Sequence, residues 1–176
     1  MLSLIRRLAT RNGIMTLLAL YLIVFVAILF TLAQLSEVSG GHGILDFDRG
    51  YTPDRVAEVL GSYGPEGMAL YRRIQVLDLI NPALYSLLLA CLTAVLWNGR
   101  GPGWLPLIAL LGGLGDYLEN ATLFMIARAY PEVSETLVVV SSTLSLLKNA
   151  LLVVSVAAFL SGLMVWLFFR LRRTRS

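Results

Sequence analysis

The chain has 176 residues, of which 57% are hydrophobic and only 14% charged, and its formal net charge is +3. Soluble domains carry a charged share nearer about 25%, so the composition excludes an ordinary soluble domain and indicates a membrane protein. The basic residues form no long run and are not interleaved with a stacking motif, so nothing in them calls for a nucleic-acid partner.

Four stretches are long and apolar enough to span a bilayer: 14–35, 76–97, 104–127 and a longer one over 137–169. None alternates in polarity as barrel strands do, so each reads as a helix. The expected fold is all-α, an integral membrane four-helix bundle in a single domain over 1–176, with an outer loop at 36–75.

Span one follows Arg6, Arg7 and Arg11 as a signal peptide would follow its basic region, but its apolar core exceeds the usual signal length. An uncleaved anchor is expected. Those three arginines, Arg100 after span two, and Arg170, Arg172, Arg173 and Arg175 after span four share one side with no acid. The other loops mix Arg49, Arg55, Arg72, Arg73 and Arg128 with carboxylates. The positive-inside rule then puts both termini in the cytoplasm of a cell whose inner (plasma) membrane holds the protein. The basic tail reads as an orientation signal rather than a lipid headgroup site.

The loop after span one opens on Gly40-Gly41-His42-Gly43, and the lone histidine among glycines defines no metal site. Thr52-Pro53-Asp54 is a helix start, Val56, Val59 and Leu60 give that helix an apolar edge, and Gly61 is expected to end it. Gly64-Pro65-Glu66 starts a second helix, expected to run without a break into span two. The short helix lies on the membrane surface, caps the bundle or merely connects. Span two holds the single cysteine, Cys91, which excludes a disulfide framework and is expected to pack. It also carries Gln75, Asp78 and Asn81-Pro82 with Tyr85, a polar face on which the proline removes a backbone hydrogen bond. Asp78 pairs with Arg72 or Arg73, or else joins the interior.

Span three contains Gly115-Asp116-Tyr117-Leu118-Glu119-Asn120. Spacings of three and four place Asp116, Glu119 and Asn120 on one helix face. A charge at the hydrocarbon centre costs roughly 2.5 to 3.5 kcal/mol, so these acids need a partner or a function. Lys148 in span four lies at matching depth, counted inward from the outer ends of the two helices. It is the expected counter-ion. Asn149 adds a donor, and Ser141, Ser145 and Ser155 share the Lys148 stripe. Gly112, Gly113 and Gly115 admit a close neighbour. Spans two, three and four are thus expected to enclose a polar pocket open toward the outer leaflet.

Phe47-Asp48-Arg49-Gly50-Tyr51, Leu60-Gly61-Ser62-Tyr63-Gly64 with Tyr71, Leu77-Asp78 with Asn81-Pro82 and Tyr85, and Asp116-Tyr117-Leu118-Glu119-Asn120 together resemble a family of small bacterial four-span membrane proteins. That resemblance covers nearly the whole chain and implies architecture without a particular reaction. In layout alone the chain is also similar to the emopamil-binding-protein and sigma-two receptor superfamily, which implies a four-helix core with buried acids used on sterols. That family's histidine and glutamate pattern has no counterpart here.

The leading functional expectation is a pocket for a membrane lipid or another hydrophobic small molecule, isoprenoid- or sterol-like. Glu119 or Asp116 would be its acid/base groups. Asp78, Asn81, Tyr85, Asn120, Ser145, Lys148 and Asn149 would be its ligand-binding residues. Neither cofactor nor metal is expected. A small proton-linked transporter or channel, acting as an oligomer, and a noncatalytic assembly protein stand beside this reading, as does a purely structural ion-pair network.

Overall fold

A computed structural model describes residues 2–48 and 50–173, with Arg173 described by its backbone alone. Arg49, the Arg173 side chain and Arg175, counted above among the orienting charges, lie outside the described residues. Helices α1 (Leu2–Leu8), α2 (Arg11–Val38), α3 (Pro53–Leu77), α4 (Asn81–Leu96), α5 (Leu105–Ala129) and α6 (Glu135–Arg173) follow in order, with one 3-10 turn at Leu45–Phe47 and no strand among the described residues. The fold is all-helical. Three helical stretches, Arg11–Val38, Pro53–Leu96 and Glu135–Arg172, are long and apolar enough to cross a membrane, which marks a membrane protein. At 25 residues α5 is about 37 Å long, also enough to cross, but it carries the polar patch around Asp116.

Local chemistry explains most boundaries. Thr10 caps α2 by accepting from the Gly13 amide (3.1 Å), and Thr52 caps α3 by accepting from Arg55 (3.3 Å). The expected stop at Gly61 is wrong: α3 continues through it, and the interruption falls at Gly64, whose φ of 57° precedes Pro65. A residue before proline is pushed off helical geometry, and glycine alone tolerates the left-handed alternative. The expected unbroken run into span two is also wrong. α3 ends at Leu77, a turn occupies 78–80, and α4 starts at Asn81 with Pro82 in its first turn. There the missing proline N–H costs no helical hydrogen bond. The long fourth segment is one continuous helix, and α1 is an additional short helix.

α5 packs along both α4 and α6, while α2 packs on α3 and α4. Gly113 faces α4 so closely that a Cβ there would stand 2.6 Å from Ser86 Oγ; Gly115 lies against the Lys148 backbone, where a Cβ would meet Cα at 3.5 Å. Two apolar cores result. One, at the end that carries α3, joins Val56, Val59, Leu60 and Tyr63 to Leu35, Leu45, Leu123, Ile126 and Val138, so the short amphipathic helix caps the bundle. The other, toward the opposite end, gathers Ile5, Leu17, Leu88, Ala90, Cys91 and Ala109. Cys91 packs there, its thiol 3.8 Å from the Ile5 carbonyl oxygen.

Candidate functional site

Between those cores, Lys148 on α6 meets three carboxyl groups. Its ammonium pairs most closely with Glu119, lies 3.3 Å from Asp116 Oδ1, and lies 3.7 Å from Asp46 Oδ1. Asp116 and Glu119 come from consecutive turns of α5, and Gly115 lets α6 approach so that a lysine stem reaches both. Asp46 comes from the 3-10 turn in the loop between α2 and α3, between Leu45, which is buried, and Phe47, which is exposed. Glu119 is fully buried, and Asp116 and Lys148 are nearly so. Three acids face one cation. Full ionisation would leave two negative charges uncompensated in a low-dielectric interior.

Asp46 shows the consequence outside the helices. Burial pushes its carboxyl up to about 7, the Lys148 ammonium opposes that shift, and the Glu119, Asp78 and Asp116 carboxylates reinforce it. Near neutrality it exchanges its proton.

Around the cluster, the Tyr85 hydroxyl donates to Asp116 Oδ2 (2.8 Å). Asp78 accepts from Asn81 Nδ2 (3.0 Å) and Asn120 Nδ2 (2.7 Å), so it belongs to an amide network; Arg72 and Arg73 are exposed and form no ion pair with it among the described residues. That network ties the start of α4 to α5. The serine stripe is buried, with Ser141 Oγ 2.6 Å from the Tyr51 hydroxyl and accepting from Thr122 Oγ1 (2.7 Å). Tyr51 also donates its amide to Ser142 Oγ (2.9 Å), and these bonds fasten the loop bearing Asp46 to α6. Ser145 Oγ is buried near the Glu119 carboxyl, and neither it nor the Glu119 oxygens form a hydrogen bond of good geometry.

A cavity of about 710 Å³ opens beside the cluster. Its polar end is formed by Asp46, Asp78, Asp116, Lys148 and Asn149, and its apolar walls by α2 and α5, including Phe25, Ile28, Leu29, Tyr117, Ala121 and Phe124. Exposed Phe25, Leu29, Val76, Leu79, Phe124 and Met125 form its rim. These positions lie along helix flanks, so the mouth faces sideways between α2 and α5. Beyond the three spans expected to enclose it, α2 supplies a wall, and Ile44 and Asp46 of the loop between α2 and α3 line it as well.

Of the residues singled out from the sequence, Asp78, Asn81, Tyr85, Asp116, Asn120, Lys148 and Asn149 line this cavity. Glu119 and Ser145 do not. Glu119 sits behind Lys148, where it fixes the ammonium rather than facing the space. Sequence reading missed Asp46, and it placed Gln75 on the polar face of span two without counting it among the ligand-binding residues. Gln75 lines the wall with both amide atoms buried and without hydrogen-bond partners. Asp46, Asp116 and Glu119 bring carboxylate oxygens within 4.8 Å of one another, close enough for a metal, but the ammonium already sits among them. His42 stays at the loop surface, 3.9 Å from Glu58.

No protein-family model matches this sequence, and no curated protein or solved structure shows significant similarity to it.

Proposed function

We propose that this protein is a four-span inner-membrane protein, with both termini cytoplasmic, that binds a lipid-like amphiphile through the sideways cavity. The observation that carries the reading is the joining of one apolar space of about 710 Å³ to a buried end holding charged groups. Ligand sites usually fall in the range of 300 to 1,000 Å³ and combine apolar walls with a few placed polar groups. A tail entering from the bilayer between α2 and α5 would meet Phe25, Ile28, Leu29 and Phe124. Its head would reach Asp46, Asp116 and Lys148.

Because carboxyl groups outnumber the ammonium, the head that suits this end donates hydrogen bonds, as a hydroxyl or an amine does. Gln75, with an unused donor and an unused acceptor, would satisfy itself on the same head. Asp116 is the carboxyl placed for proton transfer, since it faces the cavity and is held by Tyr85 and Lys148. Glu119 is a positioning residue.

The apolar core of Leu88, Ala90, Cys91 and Ala109 closes the bundle beyond the cluster. That favours a pocket over a conduit through one chain. The test is to extract the wild type, Asp116→Asn and Lys148→Met with surrounding bilayer and identify bound lipids by mass spectrometry. One amphiphile, enriched in the wild type and depleted about tenfold or more in both variants, is expected from loss of charge-assisted hydrogen bonds. Equal lipid content in all three would sink the proposal.

A further inference from the structure

The opposite end of the bundle holds a second, separate cavity. It measures about 360 Å³ and is lined by Arg100, Trp166, Phe169 and Arg170, where the segment after α4 meets the last turns of α6. A single water needs only about 10 to 15 Å³ of such space, so the cavity is large enough for a phosphate group and part of its ester substituent. Its frame is fixed. Trp97 Nε1 donates to the Ala158 carbonyl (2.8 Å), fastening the end of α4 to α6, and Arg100 Nη1 donates to the Leu96 carbonyl (3.3 Å). The Arg170 guanidinium carbon lies 5.0 Å from the centre of the Trp166 ring, which holds that side chain at the pocket wall.

The charge there is one-sided. Arg6, Arg7, Arg11, Arg100, Arg170 and Arg172 belong to this end, whereas every Asp and Glu of the chain lies between Glu37 and Glu135, in the middle or at the far end of the bundle. Among the described residues the ion pairs involve His42, Arg55 and Lys148, and neither Arg100 nor Arg170 has a carboxylate partner. Arg100 and Arg170 both line one small space with no acidic side chain against them among the described residues, beside an indole and a phenyl ring of the kind that settle at the boundary between headgroups and acyl chains. Guanidinium matches phosphate bidentately and gives up its hydration more readily than an ammonium does.

We infer that this pocket binds the phosphate of an anionic phospholipid, with Arg100 and Arg170 gripping the phosphate oxygens while Trp166 and Phe169 flank the glycerol and the first carbons of the chains. This departs from the reading of the basic tail as an orientation signal alone. It is independent of the cavity at Lys148. Basic pockets between membrane helices are suited to such headgroups, and the interaction strengthens where the membrane surface excludes water.

The full-length protein in neutral detergent would be titrated with phosphatidylglycerol, with phosphatidylcholine and with inorganic phosphate, following lipid-bound species by native mass spectrometry and thermal unfolding. Phosphatidylglycerol should bind and raise the unfolding temperature, and phosphatidylcholine should not. R100Q/R170Q should weaken that binding about tenfold or more, as expected for two charge-assisted contacts. R6Q/R7Q removes the same charge from the same end, and should change it by less than about threefold. Should the glutamine pair fail to insert, R100K/R170K keeps the charge but loses the forks and should still weaken binding by at least about threefold. Equal losses in R100Q/R170Q and R6Q/R7Q would show diffuse surface charge and overturn the site. Equal binding of the two lipids would overturn it as well, and protection by inorganic phosphate with none from phosphatidylglycerol would overturn the lipid assignment.

Discussion

Replacing Lys148 by Met keeps the stem and removes the only cation among Asp46, Asp116 and Glu119. Two of those acids have side chains almost wholly buried, 8% exposed for Asp116 and 0% for Glu119, so water replaces the ammonium only in part. Removing one partner of a buried pair costs roughly 3 to 5 kcal/mol, because the remaining charges stay desolvated. For a chain of this size each kcal/mol moves the unfolding temperature by about 2 to 4 °C, so a fall of about 6 to 20 °C is expected at pH 8. The loss should shrink toward pH 5. Asp46, whose carboxyl burial already pushes up and which then lacks the opposing ammonium, holds in the folded state a proton that the unfolded chain has released, so stability falls as pH rises. Combining Lys148→Met with Asp116→Asn and Glu119→Gln removes the stranded charges and should recover much of the loss. Thermal unfolding in detergent between pH 5 and pH 8 reads all of this. A Lys148→Met protein within about 1 °C of wild type at pH 8, or an equal deficit at every pH, would refute the reasoning.

The Asp46 carboxyl, at about 7 against an ordinary 3.8, holds its proton in the folded protein over a range where the unfolded chain has lost it. Its contribution to stability therefore declines as pH climbs from about 4 to 7, and Asp46→Asn should flatten that part of the stability profile; an unchanged slope would remove Asp46 from the cluster. Tyr85→Phe deletes the hydrogen bond to Asp116 Oδ2 and should cost about 1.5 to 3 kcal/mol, read as an unfolding temperature lower by several degrees. Gly113→Ala gains about 1 kcal/mol of helix propensity but forces Cβ to within 2.7 Å of Ser86 Cβ, a clash costing about 1 to 3 kcal/mol, so net destabilisation of up to about 2 kcal/mol is expected where an exposed glycine would gain.

The pairing of Lys148 with Asp116 and Glu119 was legible because helical geometry is periodic: steps of three and four define a face, and rise per residue converts chain distance into depth. Asp46 had no such ruler. It reaches the site through an irregular loop, and loop paths depend on tertiary contacts such as Tyr51 with Ser141 rather than on spacing. A clue was present in Ile44-Leu45-Asp46-Phe47, an acid enclosed by apolar residues, which makes a poor solvated connector. The break before α4 was foreshadowed by Asn81-Pro82, because proline has no N–H to bond back to the preceding turn and sits well in the first turn of a new helix. Gly61 was the expected end of the short helix, but it is Gly64 that precedes a proline, and the interruption falls there. That Glu119 stands behind Lys148 while Asp116 faces the cavity was beyond spacing alone, since both occupy one helical face.

Occupancy of the cavity is tested most directly by filling its wall. Ala121→Trp places an indole between α2 and α5 without touching a charged group, and the bound lipids of this variant and the wild type would be compared by native mass spectrometry after extraction with the bilayer. The wild type should carry one amphiphile in a fixed ratio, and the variant should lose it while its pH-dependent unfolding stays unchanged. The same species at the same ratio in both proteins would contradict a ligand site between these helices.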